Sequence, residues 1–192
     1  MEKKLSVIQR YVLFALAKKP GVYVFHKDEM GVGLYVAGVM ELLGADVAAL
    51  DEKGRLRLEK PLPADLAYLT PLYETLEELR PQKPAAAAKK YVATFLNRRM
   101  NELALSVAES LERTGSLVRE ERSGLFGETV RYPVPAEVLN DQVEALRKTI
   151  LSSGPLEDGD VVLAVLLLVN WNDARKERLL RRRRTERRRE LA

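Results

Sequence analysis

The chain has 192 residues, which is long enough for one sizeable domain and short for two. It contains no cysteine, which excludes a disulfide framework and thiolate metal sites and favours a reducing compartment. The formal net charge of +4 is uneven, because residues 171–192 carry ten Lys or Arg and four Asp or Glu. That segment therefore has a net charge of +6, and the rest of the chain has a net charge of −2.

A cleaved targeting segment or a membrane span is not expected. The N-terminal residues are basic, but their apolar positions alternate with polar ones and no small-residue cleavage site follows. The longest apolar run, at 161–169, is too short for a bilayer span, which takes about 20 residues. We therefore expect an intracellular protein and interpret this run as a buried core helix.

Helical periodicity dominates the first 80 residues. Apolar residues recur at helical spacing in segment 5–17, and segment 33–44 is apolar on most sides, which predicts a buried helix. Helical spacing returns in a third segment, 64–79. Thr70-Pro71 is expected to break or kink the third of these helices. Residues 22–25, VYVF, are a candidate for a short extended segment, and 46–60 are a candidate for a hairpin whose turn contains Gly54.

The second half of the chain predicts three further helices, at 85–113, 136–151 and 161–170. The first is the longest, and it opens with four alanines of high helix propensity. Together the elements predict a mostly α fold, a multi-helix globule around a central helical bundle with one or two small β-hairpins. We expect a single helical domain over residues 1–170 and an arginine-rich C-terminal tail at 171–192, helical or frayed.

The stretch 113–134 combines a helix end, two strands and an apolar turn. Gly115 stands where the preceding helix needs a left-handed residue in order to end. Leu125 and Phe126 lie between two glycines, so two large apolar side chains occupy the tip of the turn. Turn tips normally carry polar residues because they face water. Insertion into a membrane, contact with a second copy and packing back onto the domain are all open explanations for this tip.

Four segments carry a resemblance to a known family. They are LSVIQRYVLFAL near the N-terminus, GLYVAGVMELLGADVAALDEKGRLRL, LERTGSLVREERSGLFGETVRYPV and the two helices that follow. In order and spacing they resemble the Golgi phosphoprotein family, peripheral membrane proteins that recognise phosphatidylinositol 4-phosphate, and this chain resembles a divergent prokaryotic member. The resemblance implies a mostly helical globule whose hairpin tip, here Leu125 and Phe126, enters the membrane or pairs with another copy.

The headgroup site that the resemblance implies does not keep its residue types. Four positions align with the family's headgroup residues, one aromatic and three arginines: His26, Tyr35, Asn101 and Ala104. A phosphate monoester binds best to charge-assisted donors, whereas Asn and Tyr offer weaker neutral bonds and Ala offers none. Arg98 and Arg99 lie within one helical turn of Asn101 and are candidates to compensate in part. Specific headgroup recognition is therefore in question.

No catalytic signature stands out, since a single histidine and no cysteine remove most nucleophile–base pairs. GVGLYVAG resembles a phosphate loop only loosely, and helix packing explains it better. Asp158 and Asp160 resemble a metal-ligand pair, but capping of the following helix explains them more simply. We predict that the protein is not an enzyme and has no metal and no cofactor.

The basic tail has two candidate partners. One is an anionic phospholipid surface that includes phosphoinositide as a candidate, where each basic residue contributes on the order of 1 kcal/mol. The hairpin would add its apolar tip, with Arg119, Arg122 and Arg131 as its basic flank, and it is also a candidate site of homo-oligomerisation. We predict a cytoplasmic, peripherally membrane-associated, non-catalytic lipid-binding protein. The alternative is a nucleic-acid-associated or scaffold protein that binds through the same tail, because phosphate backbones attract the same charge.

Overall fold

The computed structural model describes residues 4–26, 28–94, 97–124, 127–151 and 157–169. Six α-helices have both ends within these ranges: α1 Val7–Lys18, α2 Asp28–Gly44, α3 Thr70–Glu78, α4 Pro84–Val92, α5 Arg98–Arg113 and α6 Ala136–Leu151. A further helix, α7, occupies residues 158–169. Two 3₁₀ helices, Val22–His26 and Ala64–Leu69, precede α2 and α3.

Two antiparallel hairpins accompany the helices in the described part of the chain. In the first hairpin β1 (Ala48–Leu50) pairs with β2 (Leu56–Leu58), and in the second β3 (Glu120–Gly124) pairs with β4 (Gly127–Arg131). Each hairpin is a separate two-stranded sheet. The fold is mostly α with small β-hairpins, as predicted.

Helix α1 shows why the N-terminal segment is helical as predicted. The Ser6 hydroxyl oxygen accepts a hydrogen bond from the Gln9 backbone N–H, and the Gln9 side chain accepts one from the Ser6 N–H. This capping box satisfies two donors that a helix start otherwise leaves orphaned. The apolar stripe of α1 is buried through Ile8, Tyr11, Val12, Leu13, Ala15 and Leu16.

Helix α2 lies centrally and contacts α1, α4 and α5. At Gly38, a Cβ atom would come 2.6 Å from Leu72 Cδ2 and 3.3 Å from Ile8 Cδ1, so the missing side chain lets α1 and α3 approach. The prediction of a buried helix with close packing here is confirmed. The helix begins at Asp28, earlier than the predicted residue 33.

The first hairpin and the helix after it follow the predicted turn chemistry. Gly54 has a φ of +67° in the turn, and the Asp51 carboxylate accepts from the backbone N–H groups of Lys53 and Arg55 at 2.9 Å each. Pro71 lies in the first turn of α3, where its missing N–H has no helical partner to lose. The predicted break therefore separates a 3₁₀ helix from an α-helix.

The extended segment predicted at 22–25 is wrong. The backbone N–H of Val24 donates to the carbonyl of Gly21 at 3.0 Å, and the segment forms a 3₁₀ helix. Val24 and Phe25 are both buried whereas Tyr23 is exposed, which does not match the alternation of a strand. A lone short strand would also need a pairing partner, and local hydrogen bonds satisfy the backbone instead.

The single helix predicted over 85–113 is also wrong, because two helices occupy this range. Helix α4 ends at Val92, and α5 begins after Asn97, which has a left-handed φ of +55°. Asparagine tolerates this conformation because its short polar side chain can hydrogen-bond locally. The Tyr91 hydroxyl donates to the Arg99 carbonyl at 2.9 Å and ties the two helices together across the break.

Helix α7 corresponds to the helix predicted at 161–170, but it is not wholly buried as expected. Leu163 is fully buried, whereas Val165 and Leu168 are exposed. The difference arises because only one face of α7 meets the core, through the ion pair of its Asp160 with Arg10 of α1. The predicted tail at 171–192 lies outside the described residues.

Candidate functional site

The second hairpin is attached to the core at its base. Gly115 has a φ of +74° and ends α5, with Ser116 N–H donating to the Leu111 carbonyl and Gly115 N–H to the Glu112 carbonyl, both at 2.9 Å. These two bonds form a Schellman motif, as the glycine predicted. The Tyr132 side chain is buried just beyond β4, and its N–H donates to the Pro20 carbonyl at 2.6 Å. The hairpin therefore has a fixed base.

The strand register leads to the tip without a bulge. Glu120 is paired with Arg131 at the base, and Gly124 is paired with Gly127 at the far end. The two residues between those glycines, Leu125 and Phe126, lie outside the described residues. The direction in which the apolar tip points therefore stays a prediction.

An open cavity of about 320 Å³ lies at the base of the second hairpin. Three separate segments line it, namely the 3₁₀ helix before α2, the first turn of α5 and strand β4. The lining residues are Val22, Tyr23, His26, Asn101, Thr129, Val130 and Arg131. Apolar surface from Val22 and Val130 thus adjoins an imidazole, an amide and a guanidinium.

His26 and Asn101 meet on the rim of this cavity. Their Nε2 and Oδ1 atoms are 2.5 Å apart, and with the amide oxygen as acceptor the imidazole Nε2 carries the proton. The resemblance aligned both residues with headgroup-binding positions, and the structure brings these two together. Arg131, predicted only as part of the hairpin flank, reaches the same cavity.

Arg131 differs from the other two arginines of the predicted flank. Arg119 pairs with Glu121 at 2.8 Å and Arg122 pairs with Glu120 at 3.2 Å, both on the exposed hairpin surface. Arg131 is half-buried and has no ion pair with any carboxylate that the structure describes. It is the guanidinium best placed to meet an anion in the cavity.

The other two aligned positions lie inside the protein and do not line the cavity. Tyr35 on α2 is buried with its ring centroid 5.3 Å from that of Tyr91, and burial raises the pKa of Tyr35 to about 12. The Tyr35 hydroxyl has no hydrogen-bond partner among the described residues. Ala104 on α5 is fully buried. These side chains fill the interior instead of facing a ligand.

The two candidate compensating arginines are paired elsewhere. Arg98 Nε lies 2.8 Å from a carboxylate oxygen of Glu102 on the same helix. Arg99 pairs with Glu78 of α3 at 3.2 Å. Neither residue lines the cavity at the second hairpin. The positive charge of that cavity therefore comes from the hairpin strand and not from the long helix.

The remaining sequence candidates have structural roles. GVGLYVAG lies within α2, where its last glycine permits close helix packing. Asp160 forms a buried ion pair with Arg10, a role that sequence reasoning missed, and Asp158 is exposed. Across the described ranges, no group of three or more His, Cys, Asp or Glu is arranged to hold a metal ion.

A larger groove of about 460 Å³ runs between β2 and α3. Its lining includes Leu58, Pro61, Tyr73 and Leu79. None of the predicted site residues borders it, so the cavity at the second hairpin is the better candidate site despite its smaller volume. Among the described helices, none is both long enough and apolar enough to cross a bilayer.

A mostly helical globule with a hairpin after α5 is the architecture that the resemblance implied. Residues 8–192 match the family model described as Golgi phosphoprotein 3 (GPP34). The match covers nearly the whole chain, so this protein belongs to the Golgi phosphoprotein 3 family. No curated protein matches the chain.

Proposed function

We propose that this protein is a non-catalytic peripheral membrane protein that binds anionic lipid surfaces with low selectivity for the headgroup. The observation that carries the proposal is the cavity at the base of the second hairpin. Among its described lining residues, Arg131 supplies the guanidinium group. A lipid phosphate at this cavity would meet that guanidinium beside the imidazole of His26 and the amide of Asn101. Membership of the Golgi phosphoprotein 3 family supports the same class of function.

A single arginine supports attraction to an anionic surface but not selective binding of one lipid headgroup. Selective binding of a phosphate monoester needs several charge-assisted donors in a fixed geometry. Tyr35 and Ala104 are buried, and Arg98 is engaged with Glu102. The proposed affinity therefore follows the surface charge of the membrane and not the position of a phosphate on an inositol ring.

The apolar tip supplies the second half of the proposed contact. Leu125 and Phe126 follow Gly124 directly in the sequence, where the paired strands end. Burial of each side chain in the acyl region would contribute roughly 1.5–3 kcal/mol. Stable peripheral binding generally takes two signals, and here they would be the apolar tip and the ten basic residues within 171–192.

Co-sedimentation with vesicles tests the proposal. Phosphatidylcholine vesicles that contain phosphatidylserine are compared with vesicles in which a phosphoinositide supplies the same total charge. We expect similar binding to both, little binding to phosphatidylcholine alone, and weaker binding of Leu125→Asp/Phe126→Asp. A strong preference for one phosphoinositide at matched charge would contradict the low selectivity. Failure to bind any anionic vesicle would contradict the membrane function itself.

A nucleic-acid partner is the second candidate function, favoured by the ten basic residues within 171–192. Binding of this kind to duplex DNA weakens with salt, with a logarithmic slope of about −0.9 per phosphate neutralised. A variant that ends at residue 174 should then lose both the binding and its salt dependence in a gel-shift titration. Equal binding by the shortened protein would rule out the tail as the contact.

A further inference from the structure

One face of α7 is an exposed apolar stripe. Val161, Val165, Leu168 and Val169 are 41%, 53%, 63% and 52% exposed. Their spacing places them along one side of an α-helix, and no charged residue interrupts 161–169. Isolated exposed apolar residues are ordinary on protein surfaces, but a continuous row of them marks an interaction surface.

The direction of the stripe is set by packing at the start of the helix. Asp160 forms its buried ion pair with Arg10 of α1, and Leu163 is fully buried in the core. Gly159 lies so close to α1 that a Cβ atom there would come 2.8 Å from Val7 Cγ2. These contacts hold one face of α7 against α1, so the apolar stripe is left on the outer side.

The charges around α7 favour an anionic occupant. Two of its neighbouring carboxylates are neutralised, because Asp160 pairs with Arg10 and Glu157 lies 2.5 Å from Lys4 Nζ. Asp158 is exposed, but it lies at the opposite end of the helix from Leu168. Beyond the helix, residues 171–192 have a net charge of +6. An occupant that offers both an apolar phase and negative charge is therefore favoured over one that offers only the first.

We propose that the stripe on α7 is a second membrane-contact surface, which lies at the acyl boundary of an anionic bilayer. A bilayer interface offers both features on one surface. Nucleic acid offers the charge without the apolar depth, and a second copy would bring another +6 segment beside the first. This inference rests on the proposed membrane function and adds a contact that is separate in sequence from Leu125 and Phe126.

Charge substitution within the stripe is the first test. Val165→Asp/Leu168→Asp places two carboxylates where acyl chains are expected, so affinity for vesicles of phosphatidylcholine and phosphatidylserine should fall about tenfold or more. Ala85→Asp/Ala86→Asp, at two exposed positions of α4, is the matched control, and its binding should fall far less. Thermal unfolding of each variant shows whether the fold is kept.

A single fluorescent label provides a readout that a folding defect would not imitate. The chain has no cysteine, so Val165→Cys can be labelled alone with an environment-sensitive dye. Glu52→Cys, in the exposed turn of the first hairpin, is the control. On addition of anionic vesicles, emission from the dye at residue 165 should shift to the blue and be quenched by brominated acyl chains, and emission at residue 52 should not change.

The outcomes distinguish this inference from the function on which it rests. If the wild type binds vesicles, Val165→Asp/Leu168→Asp binds them equally well and the dye at residue 165 shows no blue shift, the stripe is not a lipid contact. The proposed function would still stand in that case. Absence of wild-type binding to anionic vesicles overturns both. If Val165→Asp/Leu168→Asp abolishes self-association in light scattering at unchanged vesicle affinity, a second copy covers the stripe and the inference is wrong.

Discussion

The imidazole of His26 and the amide of Asn101 meet with 2.5 Å between Nε2 and Oδ1, across 75 residues of sequence. The contact joins the 3₁₀ helix Val22–His26 to the first turn of α5. Arg131 reaches the same cavity from β4. The polar groups of the candidate site are thus assembled from three distant segments, and their part in the proposed membrane binding can be tested separately from net charge.

Arg131→Ala should weaken binding to anionic vesicles more than loss of a paired surface arginine does. A basic residue near an anionic leaflet contributes about 1 kcal/mol, or about fivefold in affinity. Arg57→Ala is the matched control, because it removes the same charge from an exposed pair with Glu59 on the first hairpin. Co-sedimentation at several salt concentrations measures both variants. Equal losses would mean that net charge alone decides the affinity.

Asp160→Ala should lower the free energy of unfolding by about 3–5 kcal/mol, because it leaves Arg10 as a buried charge without its partner. Arg10→Met/Asp160→Leu should recover much of that loss, since an apolar pair leaves no buried charge unpaired. Glu157→Ala removes only an exposed partner of Lys4 and should cost less than about 1 kcal/mol. Urea unfolding followed by circular dichroism compares the three. A double variant as unstable as Asp160→Ala would refute this account.

Gly115→Ala should destabilise the protein by about 1–2 kcal/mol, the cost of a left-handed backbone for a residue with a Cβ atom. A Cβ atom there would meet nothing within 4 Å beyond its chain neighbours, so the cost comes from the local backbone conformation and not from a clash with another part of the protein. Gly44→Ala is the control, because Gly44 also has free space but lies at the end of α2 without a positive φ. It should be neutral or slightly stabilising in the same thermal unfolding assay.

Tyr35 should contribute to a loss of stability in alkali. Burial raises the pKa of Tyr35 from 10.0 to about 12, so the folded protein keeps a proton that the unfolded chain releases. The stability that depends on this proton is fully present below pH 10 and is lost as the pH rises from 10 to 12. Tyr35→Phe should therefore lose less stability than the wild type across that interval in thermal unfolding. A residual loss is expected, because burial also raises the pKa of Tyr68 and Tyr91.

Elements with local causes were predictable from the sequence. Ser6 and Gln9 cap α1, Gly54 turns the first hairpin and Gly115 ends α5, each through contacts with near neighbours in the chain. The break between α4 and α5 was missed because apolar residues at 92, 96 and 100 keep helical spacing across it. Apolar periodicity indicates which residues prefer burial, but it carries no information about the backbone. The left-handed Asn97 therefore interrupts the predicted helix without disturbing the apolar spacing.

The candidate site was only partly predictable, since its geometry depends on packing between distant segments. The resemblance supplied His26 and Asn101, but nothing local indicated that Tyr35 and Ala104 would be buried. The alternation along β4 favours burial of Tyr132 at the hairpin base, and Arg131 directly precedes it in the chain. Its proximity to His26 required the tertiary structure.

The ion pair between Arg10 and Asp160 also constrains the order of events during translation. Arg10 leaves the ribosome 150 residues before its partner, so α1 carries an unpaired guanidinium until the segment that contains Asp160 has emerged. Burial of that side chain is favourable only after α7 has emerged. Helix α1 is therefore completed by a segment that lies 150 residues later in the chain, and the core around Arg10 stays open until that segment has been made.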